Sequence, residues 1–189
     1  RGVVPRSSLL SILARPGWVV GFYLGKALWP AHLSVVYPRW EIDGRALVSF
    51  IPNLLLIGVF VLLWLRRRDW GRPLLFGLAC FTVSLFPVMG FFRMYYTTFS
   101  LVADQWQYIA LPAVIALVCG LAAWGAARLP QARQSTAILA AAVILGVLAG
   151  VTWTEAARYR SSECLWRRTI RENPSAAVAY VNLGITVPA

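Results

Sequence analysis

Acid–base or phosphate chemistry in this chain has few side chains to draw on: seven acids and one histidine stand against 18 basic residues. A carboxylate can accept or orient a hydroxyl proton, and a guanidinium binds phosphate oxygens in pairs. Asp104 is the acid best placed for such work, near one end of an aromatic-rich loop whose other end is Arg93. The two can form a simple ion pair, or they can frame a lipid-phosphate headgroup with Arg93 as its first contact. Tyr108 joins them as a third lipid-phosphate-binding candidate. Glu41 and Asp43 lie one residue apart, and a turn at the Asp43-Gly44 step explains them more simply than a catalytic pair does. Asp69 belongs to a basic loop, and Glu155, Glu163 and Glu172 fit a solvated helix face. Phe91, Phe92, Tyr95, Tyr96, Phe99, Trp106 and Tyr108 form either an interfacial belt or a groove for a polyprenyl chain or pigment-like cofactor. No metal site is expected. His32 lacks acidic companions, and Cys80, Cys119 and Cys164 have neither zinc nor disulfide spacing, the first two reading as buried small packing residues.

The elements that must position these residues are membrane helices. Residues 46–65, 73–92, 108–127 and 135–153 are four apolar runs, each near the roughly 20 residues that a helix needs to cross a bilayer. They lack the alternation of barrel strands. Hydrophobic residues make up 59% of the chain, above a soluble domain's ~50%. The expected fold is therefore all-α and multi-spanning, with three regions: an interfacial or broken-helix segment over 1–45, a four-helix membrane region over 46–153, and an extramembrane tail over 154–189. The first segment earns its description from Arg15, Pro16, Gly17, Gly21, Gly25 and Lys26, which interrupt its apolar run, and from its interleaved aromatics. The net charge of +11 comes from arginines flanking the apolar runs, so lipid headgroups and not nucleic acid are the expected partners. Lys26 is the only lysine and alanine is abundant, a usage associated with GC-rich bacterial genomes. The opening RGVVPRSS is no secretory leader and suggests an internal piece of a longer chain.

Loop charges set the orientation. RRRDWGR carries four arginines against one aspartate, which places it in the cytoplasm, with the connection over 128–134 beside it. The connection over 93–107 and the tail after Trp153 then lie outside, in a bacterial inner membrane. The tail's five arginines against three glutamates favour the inner side, but the compact cluster weighs more. Ala142, Gly146 and Gly150 form a small-residue stripe on the last span, suited to helix packing in the same bundle or to a protein partner. Beyond Trp153 the pattern stays helical to about Glu172, supported by Glu163 and Arg167 one turn apart. In the segment that follows, Tyr180, Leu183 and Gly184 match the packing positions that open a tetratricopeptide repeat.

The succession KALWPAHLSVVYP, FRMYYTTFSLVADQWQYIALP and RYRSSECLWRRTIRENPSAAVAYVNLG resembles the transmembrane and tetratricopeptide-repeat proteins, a family of O-mannosyltransferase-like proteins with bacterial relatives. The resemblance implies a multi-spanning glycosyltransferase architecture using lipid-phosphate sugars, with its repeats on the outer side. Asp104, Tyr108 and Pro112 match the family's Asp-x-x-x-Tyr-x-x-x-Pro pattern, whereas Trp106 and Gln107 depart from its usual Arg-Tyr. The family's catalytic acids lie upstream of anything in this chain, so none of these residues is assigned catalysis and the cofactor remains unspecified. Two functions follow: the membrane part of such a transferase, or a non-enzymatic accessory subunit packed against a larger membrane complex.

Overall fold

The computed structural model describes residues 8–31, 33–92 and 100–186, with the side chains of 132 and 158 excepted. Arg93 and His32 lie outside the described residues, as do Tyr95, Tyr96 and Phe99. The described chain is all helical and contains no strand: α1 (Leu9–Leu28), α2 (Ile51–Leu65), α3 (Gly71–Leu85), α4 (Leu111–Ala127), α5 (Gln131–Ala156), α6 (Ser162–Glu172) and α7 (Ala177–Thr186). Short 3₁₀ turns extend α2 backward over Leu47–Phe50 and α3 forward over Phe86–Val88, and another, Asp104–Ile109, leads into α4.

Three helical stretches are long and apolar enough to cross a membrane: Leu47–Leu65, Gly71–Val88 and Arg133–Ala156. Their apolar side chains are largely exposed, Leu54, Leu55, Ile138 and Leu145 each by about two thirds, as hydrocarbon solvent allows and water does not. α4 is apolar but has 17 residues. The expected run from 108 is shortened because Tyr108 and Ile109 belong to the 3₁₀ turn, and the regular helix begins at Leu111. The run expected to reach residue 92 stops at Val88, followed by Gly90 at φ 86°, a left-handed conformation that favours glycine.

Two further expectations need correction. The helix after Trp153 is not continuous to Glu172. α5 ends at Ala156, a 3₁₀ turn covers Ala157–Tyr159, and α6 starts afresh, with Ser161 in extended conformation and its Oγ accepting the Cys164 N–H at 3.1 Å. A side-chain cap of this kind lets the chain change direction without leaving the new helix end unsatisfied. In the opening segment α1 runs unbroken through Pro16. Cys119 is exposed on α4 instead of buried, Cys80 is half-buried, and all three cysteines are free.

The chain divides into two compact units, Arg1–Leu117 and Val118–Ala189. In the first, the core joins Val19, Val20 and Tyr23 of α1 to Tyr37, to Phe81, Leu85 and Met89 at the end of α3, to Leu101 and Val102, and to Ala110 and Val114 at the start of α4. α4 starts beside the end of α3 and runs back along it, so that Leu117 packs onto Gly77. In the second unit α6 and α7 pack as a hairpin that buries Thr169, Asn173, Ala176 and Ala179. The Glu163–Arg167 pair forms at 2.7 Å, joined by Arg168–Glu172 at 3.0 Å. Tyr180 is half exposed, and a side chain added at Gly184 would meet nothing within 4 Å.

Candidate functional site

Apart from the RRRDWGR turn, the described non-helical segments of the first unit gather at the end of the α2/α3 hairpin remote from that turn, and α1 is the element they gather on. Asn53, at the third position of α2, places its carboxamide against the α1 backbone: Nδ2 donates to the Leu13 carbonyl at 2.8 Å, while Oδ1 accepts the Gly17 N–H. Only glycine permits this approach, because a Cβ at 17 would run into the Pro52 and Asn53 backbone. Further along α1, the buried Tyr23 hydroxyl donates to the Ala103 carbonyl at 3.0 Å and accepts the Ala103 N–H at 2.9 Å. Gln107, also buried, returns a bond from Nε2 to the Tyr23 carbonyl at 2.9 Å. Trp106 and Gln107 are thus part of the packing that fixes the turn over 104–109.

Asp104 emerges from that turn half-buried. Its Oδ2 accepts the Ser34 N–H at 2.8 Å, and the Tyr37 hydroxyl lies 3.0 Å from Oδ1 and 3.2 Å from Oδ2. Tyr37 precedes Pro38, which favours extended backbone there, and its ring is buried against Phe22 at 5.0 Å. Phe22 also meets Tyr23 and Trp40 edge-on. Lys26 sits over Phe22 and Tyr37, its Nζ 5.6 and 5.4 Å from the ring centres, and donates to the Ala31 carbonyl. The arrangement clamps the 33–37 segment to the 104–109 turn through a carboxylate whose two oxygens both accept hydrogen bonds. Tyr108, by contrast, is 71% exposed and makes no hydrogen bond among the described residues.

Arg15 lies nearer the start of α1. Half-buried, it donates from Nη1 to the Gly90 carbonyl at 3.3 Å. Burial, and secondarily the charge of Arg39, lowers its affinity for its proton. The described residues hold no cluster of three His, Cys, Asp or Glu side chains able to bind a metal.

Of the positions singled out in the sequence, Asp104 thus gains partners on a segment some 70 residues away, and Tyr108 faces outward. In the second unit Ala142, Gly146 and Gly150 are exposed, and neither glycine has a neighbour within 4 Å of an added Cβ. Sequence reasoning passed over Asn53, Tyr37 and Ser34, and took Arg15 only as an interruption of the first apolar run and Tyr23 only as one of its aromatics. One signal was present: Asn53 is a lone carboxamide in an apolar run, and polar groups there face a protein partner more often than lipid. No family model matches the chain, and neither does any curated protein or solved structure.

Proposed function

We propose that this chain is the membrane region of a glycosyltransferase-like protein that uses a lipid-phosphate sugar at the outer face of a bacterial inner membrane. It holds the lipid-linked substrate and does not itself supply the catalytic acid. One observation carries the reading: the aromatic and hydrogen-bonding side chains of α1, of the 33–40 segment and of the 104–109 turn pack together at the end of the α2/α3 hairpin opposite a turn with four arginines. Such a turn favours the cytoplasm, which directs the polar end outward. α4, ~26 Å long at ~1.5 Å per residue, serves as a fourth crossing. α6 and α7 then lie outside as the opening of a tetratricopeptide repeat, with Tyr180, Leu183 and Gly184 at its packing positions.

The alternative is a non-enzymatic subunit of a larger membrane complex. It is favoured by the commitment of both Asp104 oxygens to structural donors and by the uncovered stripe of Ala142, Gly146 and Gly150. The discriminating experiment measures sugar transfer from a polyprenyl-phosphate donor by the complete protein and its Arg93→Ala variant. Turnover that falls on substitution supports the first reading. Absence of transfer by the folded protein, with a Gly146→Cys variant crosslinking to another membrane protein, supports the second.

A further inference from the structure

We propose that α1 lies flat in the membrane surface, across the ends of α2, α3 and α4, and that its first turns dock into lipid through Leu9, Leu10 and Leu13. The partner is the acyl-chain edge of the leaflet remote from the RRRDWGR turn. Neither reading of the function is needed for this, because it follows from how α1 meets the other helices.

Three polar contacts along α1 reach the extremities of three different helices. The Trp18 indole donates to the Ser49 carbonyl at 2.9 Å, in the 3₁₀ turn that precedes α2. Arg15 donates to the Gly90 carbonyl, just past the turn that extends α3. The Tyr23 hydroxyl bonds to Ala103, ahead of α4. About 12 Å of helix, at ~1.5 Å per residue, separates Arg15 from Tyr23, yet both find partners outside the ends of α3 and α4. A helix descending beside α3 and α4 would carry one of the two a corresponding distance deeper. A helix laid crosswise keeps both at one level.

The chemistry of α1 agrees with that placement. It has 20 residues but not the apolarity of a crossing. Upright, it would hold Arg15 about 5 Å from its midpoint, at ~1.5 Å per residue, in hydrocarbon where a guanidinium is costly. Flat, it keeps Arg15 and Lys26 at headgroup depth, which also suits the exposed Trp18 and Trp29.

Leu9, Leu10 and Leu13 are half exposed or more, as are Leu47 and Val48 in the turn before α2. The two groups are neighbours: a Cβ added at Gly44 would stand 2.8 Å from Leu10 Cβ, and the Leu13 carbonyl accepts Asn53 Nδ2 at 2.8 Å. Together they prolong the apolar surface of α2 on which Leu54 and Leu55 are exposed. A surface continuous with a helix able to span the membrane meets the same solvent, which makes lipid its occupant.

The test uses the whole chain with Cys80→Ala, Cys119→Ala and Cys164→Ala and one introduced cysteine at a time. In bacterial spheroplasts, a membrane-impermeant maleimide should label Ser8→Cys and Leu28→Cys from one side and Arg68→Cys from the other. In phosphatidylcholine–phosphatidylglycerol vesicles, a fluorophore on Leu10→Cys should emit at shorter wavelength than one on Arg45→Cys. Nitroxides high on the lipid acyl chain should quench it more than nitroxides at the chain end or in water, as suits a helix ~5–10 Å into the headgroup boundary. Melting followed by tryptophan emission shows that each variant is folded, and Leu13→Cys replaces Leu10→Cys if that variant is not. Ser8→Cys and Leu28→Cys labelled from opposite sides, or quenching strongest at the chain end, overturns the flat placement. Quenching strongest in water, or a disulfide joining two copies through Leu10→Cys without lipid quenching, overturns the docking into lipid. Presence or absence of sugar transfer leaves these results standing.

Discussion

Replacing Gly17 by alanine should force α1 off α2. The new methyl would stand 2.6 Å from Asn53 Oδ1 and closer still to the Pro52 and Asn53 backbone. Ordinary contact begins near 3.4 Å and the nearest backbone atom, the Asn53 nitrogen, would stand about an ångström inside that limit, so the helices must separate by about an ångström. Backbone cannot swing aside as a long side chain would. Overpacking of this kind costs about 1–3 kcal/mol. Separation also weakens the two Asn53 bonds to Leu13 and Gly17, worth about 1 kcal/mol each. Against this, alanine is the better helix former by ~1 kcal/mol. The balance is a loss of about 2–4 kcal/mol, which for a unit of this size lowers the melting midpoint by roughly 10 °C.

Gly25→Ala supplies the control. It lies in the same helix, and its added methyl meets nothing within 4 Å, so propensity acts alone and stability rises by up to ~1 kcal/mol. Both variants and the wild type would be melted in one detergent at one scan rate, following tryptophan emission, since Trp18 reports directly on α1 docking through its 2.9 Å bond to the Ser49 carbonyl. Equal scan rates matter because membrane proteins commonly unfold irreversibly. If Gly17→Ala melts with Gly25→Ala, the close crossing of α1 and α2 is wrong.

Tyr23→Phe removes the hydroxyl that serves both polar groups of Ala103; the carbonyl keeps the Trp106 N–H at 3.1 Å, but the buried N–H loses its acceptor, which should cost about 1–3 kcal/mol, read as a lower melting midpoint and faster amide exchange at Ala103. Asp104→Ala should raise amide exchange at Ser34 more than Asp104→Asn does, because asparagine retains one oxygen to accept the Ser34 N–H; equal exchange in both would deny the clamp. Ser161→Ala should cost about 1 kcal/mol of α6 stability, visible as reduced helicity of the tail, and should leave the first unit's melting unchanged.

The apolar runs were legible because a helix in lipid advertises itself by composition, whatever its partners. α2 with its preceding turn covers Leu47–Leu65 against an expected 46–65, and the last long apolar helix contains the expected 135–153. The ends were less legible. Nothing in a run of apolar letters distinguishes the 3₁₀ turn carrying Tyr108 from the regular helix that follows at Leu111. The break at Ser161 was readable in principle, since a serine in extended conformation before a polar turn is a helix start, but continuous helical periodicity outweighed it. Asp104 stood out as an acid at a loop edge, whereas its donors did not. Ser34 and Tyr37 lie about 70 residues away, and Tyr23 lies 80 from Ala103. Periodicity states which face is apolar, not which distant backbone group a hydroxyl will reach.

The features that made α1 look broken have a common physical cause. Near a membrane, backbone outside helices must find its hydrogen bonds within the protein. The first unit has several such segments, and α1 furnishes their partners: the Ser11 hydroxyl accepts the Gly44 N–H, Arg15 donates to the Gly90 carbonyl, Trp18 to Ser49, Tyr23 to Ala103 and Lys26 to Ala31. Its glycine at 17 admits Asn53 in the reverse sense. These polar side chains keep α1, with its 20 residues, from the apolarity of a spanning helix, and the same side chains make it a scaffold for the connections on either side of the α2/α3 hairpin. A segment read only for hydrophobicity looks like a failed membrane span. Read for where backbone N–H and C=O groups must end, it becomes the element on which the end of the helical hairpin remote from the RRRDWGR turn is built.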